Sequence, residues 1–458
     1  MNVSFPSLRD MLAPYKRHRD EVDGRIRDGI ERHRKADAAL RLTDETGAPV
    51  AGAKVTLVQR SHDFGLGCNL FLLGELETEE KNETYRRVFA ETFNMATLPF
   101  YWNTLEPTPG SLRFAADSPR IYRRPPPDLC VGFCREHGIK PKLHCLNYDA
   151  WPTPDWVPRD GVAAVKRALE TRFTQIAERY AASIPCVEVT NETLNPPVPK
   201  CTPFFLEPDF IHWSFETARK YFPTNELVIN EPTSKVLWNI FGEMPDHMRQ
   251  RFLGNRSQYY LLLEHELAQR TPIDAVGIQY HIFVPRERAV STAATLCDPL
   301  FLYRVMDLYG SFGVPLQITE TTLPAHGVSA EDEEVQAELL RMTYSVFFSH
   351  PTMEAVIYWN LVDGYAAGGS PGDMTAGENR YCGGLLRFDM GEKPAFRELR
   401  RLFREEWRTR CVLETNADGR CSFRGFRGDY DAVVEKNGRL VKRTFRLARG
   451  GAAATWTI

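Results

Sequence analysis

The sequence predicts an α/β fold, a (β/α)8 barrel with a small discontinuous β-sandwich formed from the two ends of the chain, and three observations carry this reading. Eight short apolar runs rich in β-formers alternate with helical stretches, the pattern of a parallel sheet closed on itself. The 458 residues are enough for one barrel of about 250 to 350 residues and something smaller beside it. The two ends share a texture of alternating strands and tight turns that the middle lacks.

Residues 1–36 form the first segment. Leu12, Tyr15, Val22, Ile26 and Ile30 recur at helical spacing between alternating charges, which predicts a solvated helix with one packed stripe rather than a membrane or nucleic-acid arm. Residues 37–62 change character: LRLTDETGAPVAGAKVTLVQR reads as strand, turn at Gly47 and Pro49, then the alternating strand Ala53-Val55-Leu57. The barrel is expected over 63–405, its strands being FGLGCNL (64–70), FNMATLPFYW (93–102), PKLHCLNY (141–148), CVEVTNE (186–192), ELVINE (226–231), AVGIQYH (275–281), PLQITE (315–320) and AVIYWNL (355–361). Helices are plain at 162–182 and 331–349. Residues 406–458 return to hairpin texture, with Asp418-Gly419 and Asn437-Gly438 as turns. A lone hairpin near residue 50 cannot bury its own face, so the two ends are expected to complete one sandwich, a structural cap in preference to a carbohydrate-binding module.

Composition narrows the partners. Lysines and arginines number 57 against 60 acidic residues, a net charge of -3, so no general field draws nucleic acid or anionic lipid; a neutral oligosaccharide or polysaccharide suits this balance. No run of 18 or more apolar residues occurs, and the N-terminus has no apolar core of the kind a secretory signal needs. A cytoplasmic location is expected, or secretion if a signal has been removed. The ten cysteines are scattered, with Cys130 and Cys134 the closest pair, and are expected to be free thiols of a reducing compartment.

In such a barrel the chemistry sits where strands end, at the C-terminal rim. The strand-end residues are His144 and Tyr148, Asn191 and Glu192, Asn230 and Glu231, Gln279 and His281, Glu320, Trp359 and Asp363. Glu192 and Glu320 end the fourth and seventh barrel strands. Alternation puts Glu188, Thr190 and Glu192 on one face, and Leu316, Ile318 and Glu320 on another; with Ile318 filling the barrel, Glu320 is expected to point into the pocket above it. Two carboxyls facing each other across a substrate are what glycoside hydrolysis requires: one releases the leaving oxygen, the other attacks or stabilises the anomeric carbon. Asn191 is placed to bond a sugar 2-hydroxyl, and His281 to hold the seventh-strand carboxylate ionised.

Three motifs in order resemble those of glycoside hydrolase family 10: VEVTNETLN its acid/base segment, GIQYH its "G-L-Q-x-H", and QITET its nucleophile segment. LHCLNYDAWPTPDWV, ELVINE and AVIYWNLVDG are similar to further segments of that family, and the resemblance spans about 63 to 405. It implies a TIM barrel and a retaining endo-β-1,4-xylanase-like hydrolase acting on xylan or xylo-oligosaccharides through a glycosyl-enzyme intermediate, with no cofactor and no metal. Carried over, it makes Glu192 the acid/base, Glu320 the nucleophile, Asn191 the 2-hydroxyl partner and His281 the residue orienting Glu320, with Gln279, His144 and Trp359 lining the attacked sugar's subsite. The ends resemble the halves of a transthyretin-like or carboxypeptidase-regulatory-type sandwich, from GAPVAGAKV (47–55) and ADGRCSFRGFRGDY (417–430).

The departures concern substrate. Where the family has a Glu, Asn and Lys gripping the next sugar, TLPFYW puts Thr97, Leu98 and Tyr101, an aromatic and apolar surface that adds Tyr101, with Tyr148, to the substrate-binding candidates. Thr322 stands where the family often has an aspartate supporting the histidine, and Tyr148-Asp149 replace a Trp-His. The loops 196–210 and 366–384, with Tyr365 immediately before the second, supply Phe204, Phe205, Tyr365 and Tyr381 as candidate stacking platforms. Three alternatives stand beside the xylanase reading: a retaining β-glycosidase for another or decorated plant glycan, a non-catalytic sugar-binding barrel, and a metal-dependent hydrolase. The last lacks the H-x-H expected at the end of the first strand.

Overall fold

The computed structural model of the chain describes residues 7–237 and 254–458; parts of the 1–36 segment and of the 63–405 span fall outside the described residues. After helices Ala13–Arg17 and Arg19–Arg34 come β1 (Lys35–Thr43) and β2 (Lys54–Gln59). The barrel strands are β3 (Gly65–Asn69), β4 (Met95–Pro99), β5 (Lys140–His144), β6 (Cys186–Asn191), β7 (Glu226–Glu231), β8 (Ala275–His281), β9 (Leu316–Thr322) and β10 (Met353–Tyr358). They close in chain order, each parallel to the next, β10 pairing back on β3. Five more strands follow: β11 (Arg410–Glu414), β12 (Arg420–Phe426), β13 (Gly428–Lys436), β14 (Arg439–Leu447) and β15 (Ala452–Thr457).

Each apolar run read from the sequence overlaps a barrel strand: β7 and β8 match their runs, β9 continues two residues beyond its run to Thr322, β10 starts two residues before its run at Met353, and β3, β4, β5 and β6 are shorter than theirs. In FNMATLPFYW the strand stops at Pro99, and Trp102 already opens a one-turn helix, Trp102–Leu105. Proline has no N–H to continue a ladder, so the chain turns there onto the rim. One parity of each strand packs on the helices, for example Val187 and Val189, Leu227 and Ile229, Val276 and Ile278. The other fills the barrel with a smaller plug that includes Met95, Cys186, Val228, Ala275 and Ile357.

The expectation for Ile318 is corrected. Leu316 and Ile318 belong to the helix-facing core, whereas Gln317 reaches inward to Cys186 and Thr319 to Asn230. Strict alternation would then aim Glu320 at the helices. It does not, because the β8–β9 ladder shifts register between Ile278 and Gln279, so that Gln279 sits opposite Glu320. The β6–β7 ladder shifts similarly between Glu188 and Thr190. Irregularities of this kind re-aim side chains beside active sites, and here each lies just before a glutamate.

The two ends of the chain make two sheets, β12-β1-β15 and β11-β2-β13-β14. β1 runs antiparallel to β12 and parallel to β15, while β2 lies between β11 and β13. The burial of β1 alternates along the strand, and Leu40, Leu42, Val55, Leu57, Tyr430 and Trp456 meet in one apolar core shared by both sheets. Burying such side chains contributes about 1.5–3 kcal/mol each, which neither end achieves alone. Arg34 fastens this end to the barrel through the carbonyl of Met353 at 2.6 Å, and Trp407 stacks on Phe348 with ring centroids 4.1 Å apart. No described helix is long and apolar enough to cross a membrane.

Candidate active site

At the C-terminal rim a cavity of about 310 Å³ is lined by Glu192 and Glu320 together with all seven residues expected to bind substrate: Tyr101, His144, Tyr148, Asn191, Gln279, His281 and Trp359. Gln279 ties the carboxyls together. Its Nε2 donates to Glu192 Oε1 at 3.0 Å and to Glu320 Oε1 at 3.2 Å. Asn230, beneath them, donates from Nδ2 to Glu320 Oε1 at 3.0 Å and to Asn191 Oδ1 at 2.9 Å. The motif glycine explains how this hub fits. A Cβ on Gly277 would stand 2.6 Å from the Ile229 carbonyl and 2.8 Å from Thr319 Cγ2, contacts no side chain tolerates.

Glu192 has φ 56°, a left-handed conformation that costs a non-glycine residue about 1 kcal/mol or more. The following turn is held in compensation: the buried Glu231 carboxyl accepts from the backbone N–H groups of Thr193 at 2.9 Å and Leu194 at 3.0 Å. Tyr148 Oη and Asn195 Nδ2 donate to Glu192 Oε2 at 2.7 and 2.8 Å. Three donors from three segments therefore fix the carboxyl at the cavity wall.

Below the cavity lies a buried ionic cluster. Lys142 Nζ is 2.6 Å from Glu188 Oε2 and His144 Nδ1 is 2.7 Å from Glu188 Oε1, with Lys142 and Glu188 both 0% exposed. Burial alone would raise the Glu188 carboxyl, but His144 and Lys142 outweigh it and hold it down at about 2. Burial would likewise lower His144, yet the Glu188 carboxylate prevails and raises it. His144 Nε2 lies 3.0 Å from Tyr101 Oη, so both ring nitrogens are engaged within the protein. Among the described residues, His144, Cys145 and Glu188 form the one group with metal-ligand spacing. The Lys142 ammonium already sits on that carboxylate, so the donor set does not fit a divalent cation.

Burial, with Glu188 and Glu192 adding to it and His144 opposing, pushes the Glu320 carboxyl up to about 8 in the unliganded pocket. His281 Nε2 lies 3.1 Å from Glu320 Oε2, and His281 Nδ1 is 2.9 Å from Thr322 Oγ1. Burial pulls His281 down to about 4, so it is a neutral ring that offers Glu320 a hydrogen bond and no charge. An aspartate at position 322 would favour the imidazolium, and an imidazolium would favour the Glu320 carboxylate. In wild type the acidic limb of kcat/KM is therefore expected near pH 8, rising as Glu320 ionises. Thr322→Asp should move it down by about one pH unit. A limb that stays in place in paired pH profiles would show that His281 does not set the ionisation of Glu320.

Several expectations change in detail. Asp363 lies outside this cavity lining, with Lys393 Nζ 2.5 Å from its carboxylate and the Gly384 N–H bonded to it. Phe204 packs on Phe210 and Trp213 of the following helix Phe210–Tyr221, and Tyr365 stacks on Phe388 beyond the second loop, because rings at a loop base anchor it to its neighbours. Phe205 faces a neighbouring cavity of about 370 Å³ shared with Glu192 and Trp151. Tyr381 stacks on Phe283, which in turn stacks on His281. Unforeseen in the wall are Phe71, Arg123, Arg124, Trp151, Phe283 and Glu378. The arginines come from IYRRPPP, a connection between strands where no periodicity marks them.

Residues 72–375 match the family model Glycosyl hydrolase family 10. The chain is 24% identical to endo-1,4-beta-xylanase 2 of Arabidopsis thaliana over 92% of its own length and 34% of that protein. It is 22% identical to anti-sigma-I factor RsgI6 of Acetivibrio thermocellus over 93% of its length and 49% of that protein. The chain thus spans about half or less of the length of these relatives. Native xylanase 10B from Thermotoga maritima superposes with a TM-score of 0.57 at 16% identity, covering 75% of this chain and 96% of that one. A similar barrel, xylanase 10B from Thermotoga petrophila, was solved with xylobiose bound and gives a TM-score of 0.55 at 16% identity over 75% of this chain and 95% of that one. With the family model covering well over half of its length, the chain belongs to glycosyl hydrolase family 10.

Proposed function

We propose that the protein is a retaining hydrolase of β-1,4-linked glycosides, with xylan or xylo-oligosaccharides as the substrate class and Glu192 and Glu320 as its catalytic pair. One observation carries the mechanism. An oxygen of each carboxyl touches the same Gln279 nitrogen, so the two oxygens lie no farther apart than those two contacts laid end to end. A single amide bridging both carboxyls supports the close spacing of about 5–5.5 Å used in double displacement over the roughly 6.5–9.5 Å with which an inverting enzyme seats a water. Xylan is supported by the names of the related proteins, endo-1,4-beta-xylanases among them.

In the first step Glu320 attacks the anomeric carbon, the bond to the leaving oxygen breaks, and that oxygen takes the Glu192 proton. In the second, Glu192 takes a proton from water as the water attacks the same carbon, and the bond to Glu320 breaks. Asn191, held by Asn230, faces the attacked sugar, and the neutral His281 orients Glu320. The ten cysteines are all free thiols, which suits a reducing, cytoplasmic setting.

Glu192→Ala tests the acid role. Its kcat on xylo-oligosaccharides should fall by about 10²–10⁴, while aryl xylosides with acidic phenol leaving groups, which depart without a proton, should retain far more of their first-step rate. Equal losses on both substrates would remove Glu192 from the acid role.

A further inference from the structure

We infer that Arg124 is a substrate-binding residue for a carboxylate, and that the pocket takes a glycan carrying a uronic acid. This inference rests on the proposed function and deepens its substrate class. Arg124 lines the cavity together with Glu192 and Glu320. Its guanidinium carbon lies 4.1 Å from the centre of the Tyr101 ring, 5.4 Å from that of Phe71 and 5.6 Å from that of Trp151. Three aromatic rings and the proline run 125–127 that follows hold a planar cation in place before any ligand arrives.

Its hydrogen bonding and its partial exposure set it apart from the buried arginines Arg113, Arg123 and Arg172. Arg172 donates to the carbonyls of Leu146, Phe100 and Cys145. Arg113 donates to those of Thr104, Pro119 and Arg124. Arg123 is bonded to the carbonyl of Tyr365 and to Asn360 Oδ1. These guanidinium groups build loops. Among the described residues Arg124 makes one side-chain hydrogen bond, from Nη1 to the neighbouring Arg123 carbonyl at 2.7 Å, and none of its nitrogens is among the sealed, unpartnered polar atoms. Its remaining donors have no described partner, and the residue is partly exposed and lines the cavity. Burial, with Arg123 adding to it, lowers Arg124 to about 10, which leaves it a cation at neutral pH.

A guanidinium with free, coplanar donors pairs with a carboxylate through two parallel hydrogen bonds. A neutral sugar hydroxyl uses one donor and none of the charge. Glu378 also lines the cavity but is turned to Asn360, whose Nδ2 donates to it at 2.6 Å, and no described carboxylate forms an ion pair with Arg124. The surface that replaces the family's polar clamp therefore carries a cation on an aromatic wall, suited to a hexuronic acid within the chain or on a branch of it.

The test uses the full chain and twin ligands. A xylo-oligosaccharide with one uronic acid branch, a β-linked oligosaccharide with the uronic acid in its chain, and the carboxyl-reduced neutral twin of each are titrated by calorimetry into Glu320→Gln. The same four are offered to wild type for hydrolysis. One acidic ligand is expected to bind about tenfold or more tighter than its twin at low salt, and which of the two does so identifies branch or chain. The gap should shrink to within about twofold in Arg124→Gln and be intermediate in Arg124→Lys, which keeps the charge but not the fork. Equal binding of the twins to the Glu320→Gln chain, no binding of any, or a gap that survives Arg124→Gln overturns the inference. A gap without hydrolysis of any ligand leaves the inference standing and refutes the proposed function; equal hydrolysis of twins with no gap does the reverse.

Discussion

Glu320→Ala should lower kcat/KM by about 10⁴-fold or more on every substrate, good leaving groups included, the scale seen when a covalent nucleophile is removed. Leaving-group independence is what separates this loss from that of Glu192→Ala. The vacated space is still lined by Asn230 Nδ2, Gln279 Nε2 and His281 Nε2, donors that suit a small anion. Added azide should therefore restore turnover and leave a glycosyl azide of inverted configuration, because one displacement replaces two. Activity within tenfold of wild type, or a rescued product of retained configuration, would strip Glu320 of the nucleophile role.

Glu188→Ala should be the most damaging change to stability, at about 3–5 kcal/mol. Removing the carboxylate leaves the Lys142 ammonium, 0% exposed, without its counter-ion, together with a protonation-prone His144. Deleting both ends, as in Glu188→Leu with Lys142→Met, should recover much of the loss, since an apolar pair has no charge to desolvate. The pH dependence follows from the direction of the shift. The Glu188 carboxyl is held at about 2 in the folded chain against about 4.3 when unfolded. Its contribution is present above the unfolded value and is lost as pH falls from there toward 2. Urea midpoints measured across that window should drop for wild type and vary much less for the double variant. A Glu188→Ala chain as stable as wild type at neutral pH would show that the cluster is solvated in solution.

The barrel was legible because its strands are buried on both faces and read as continuous apolar runs, and strand ends are where polar residues have no packing reason to be. Glu192, Glu320, Gln279 and His281 were visible on that logic. What stayed hidden depends on register. The sequence reading placed Ile318 inside the barrel, whereas Gln317 and Thr319 face inward and one shift in the β8–β9 ladder then brings Glu320 to the pocket. A shift of one residue leaves no mark in composition. Lys142 and Glu188 each look like an ordinary strand charge, and their pairing appears only when β5 lies beside β6. Arg124 was hidden for a third reason: a residue in an aperiodic connection gains meaning only from the rings folded around it.

The pairing of β2 with both β11 and β13 has a consequence for how the molecule is made and kept. A ribosome delivers β1 and β2 before their partners β11 to β15, so until those arrive the two strands keep unpaired edges that invite other chains. Once β11 to β15 arrive, the two mouths of a loop of several hundred residues are clasped without a covalent bond. The entropy of closing a loop grows only logarithmically with its length, so the small domain needs little binding energy to hold so large an insert. In return, any opening of the barrel that pulls its first and last strands apart must also unzip a second core.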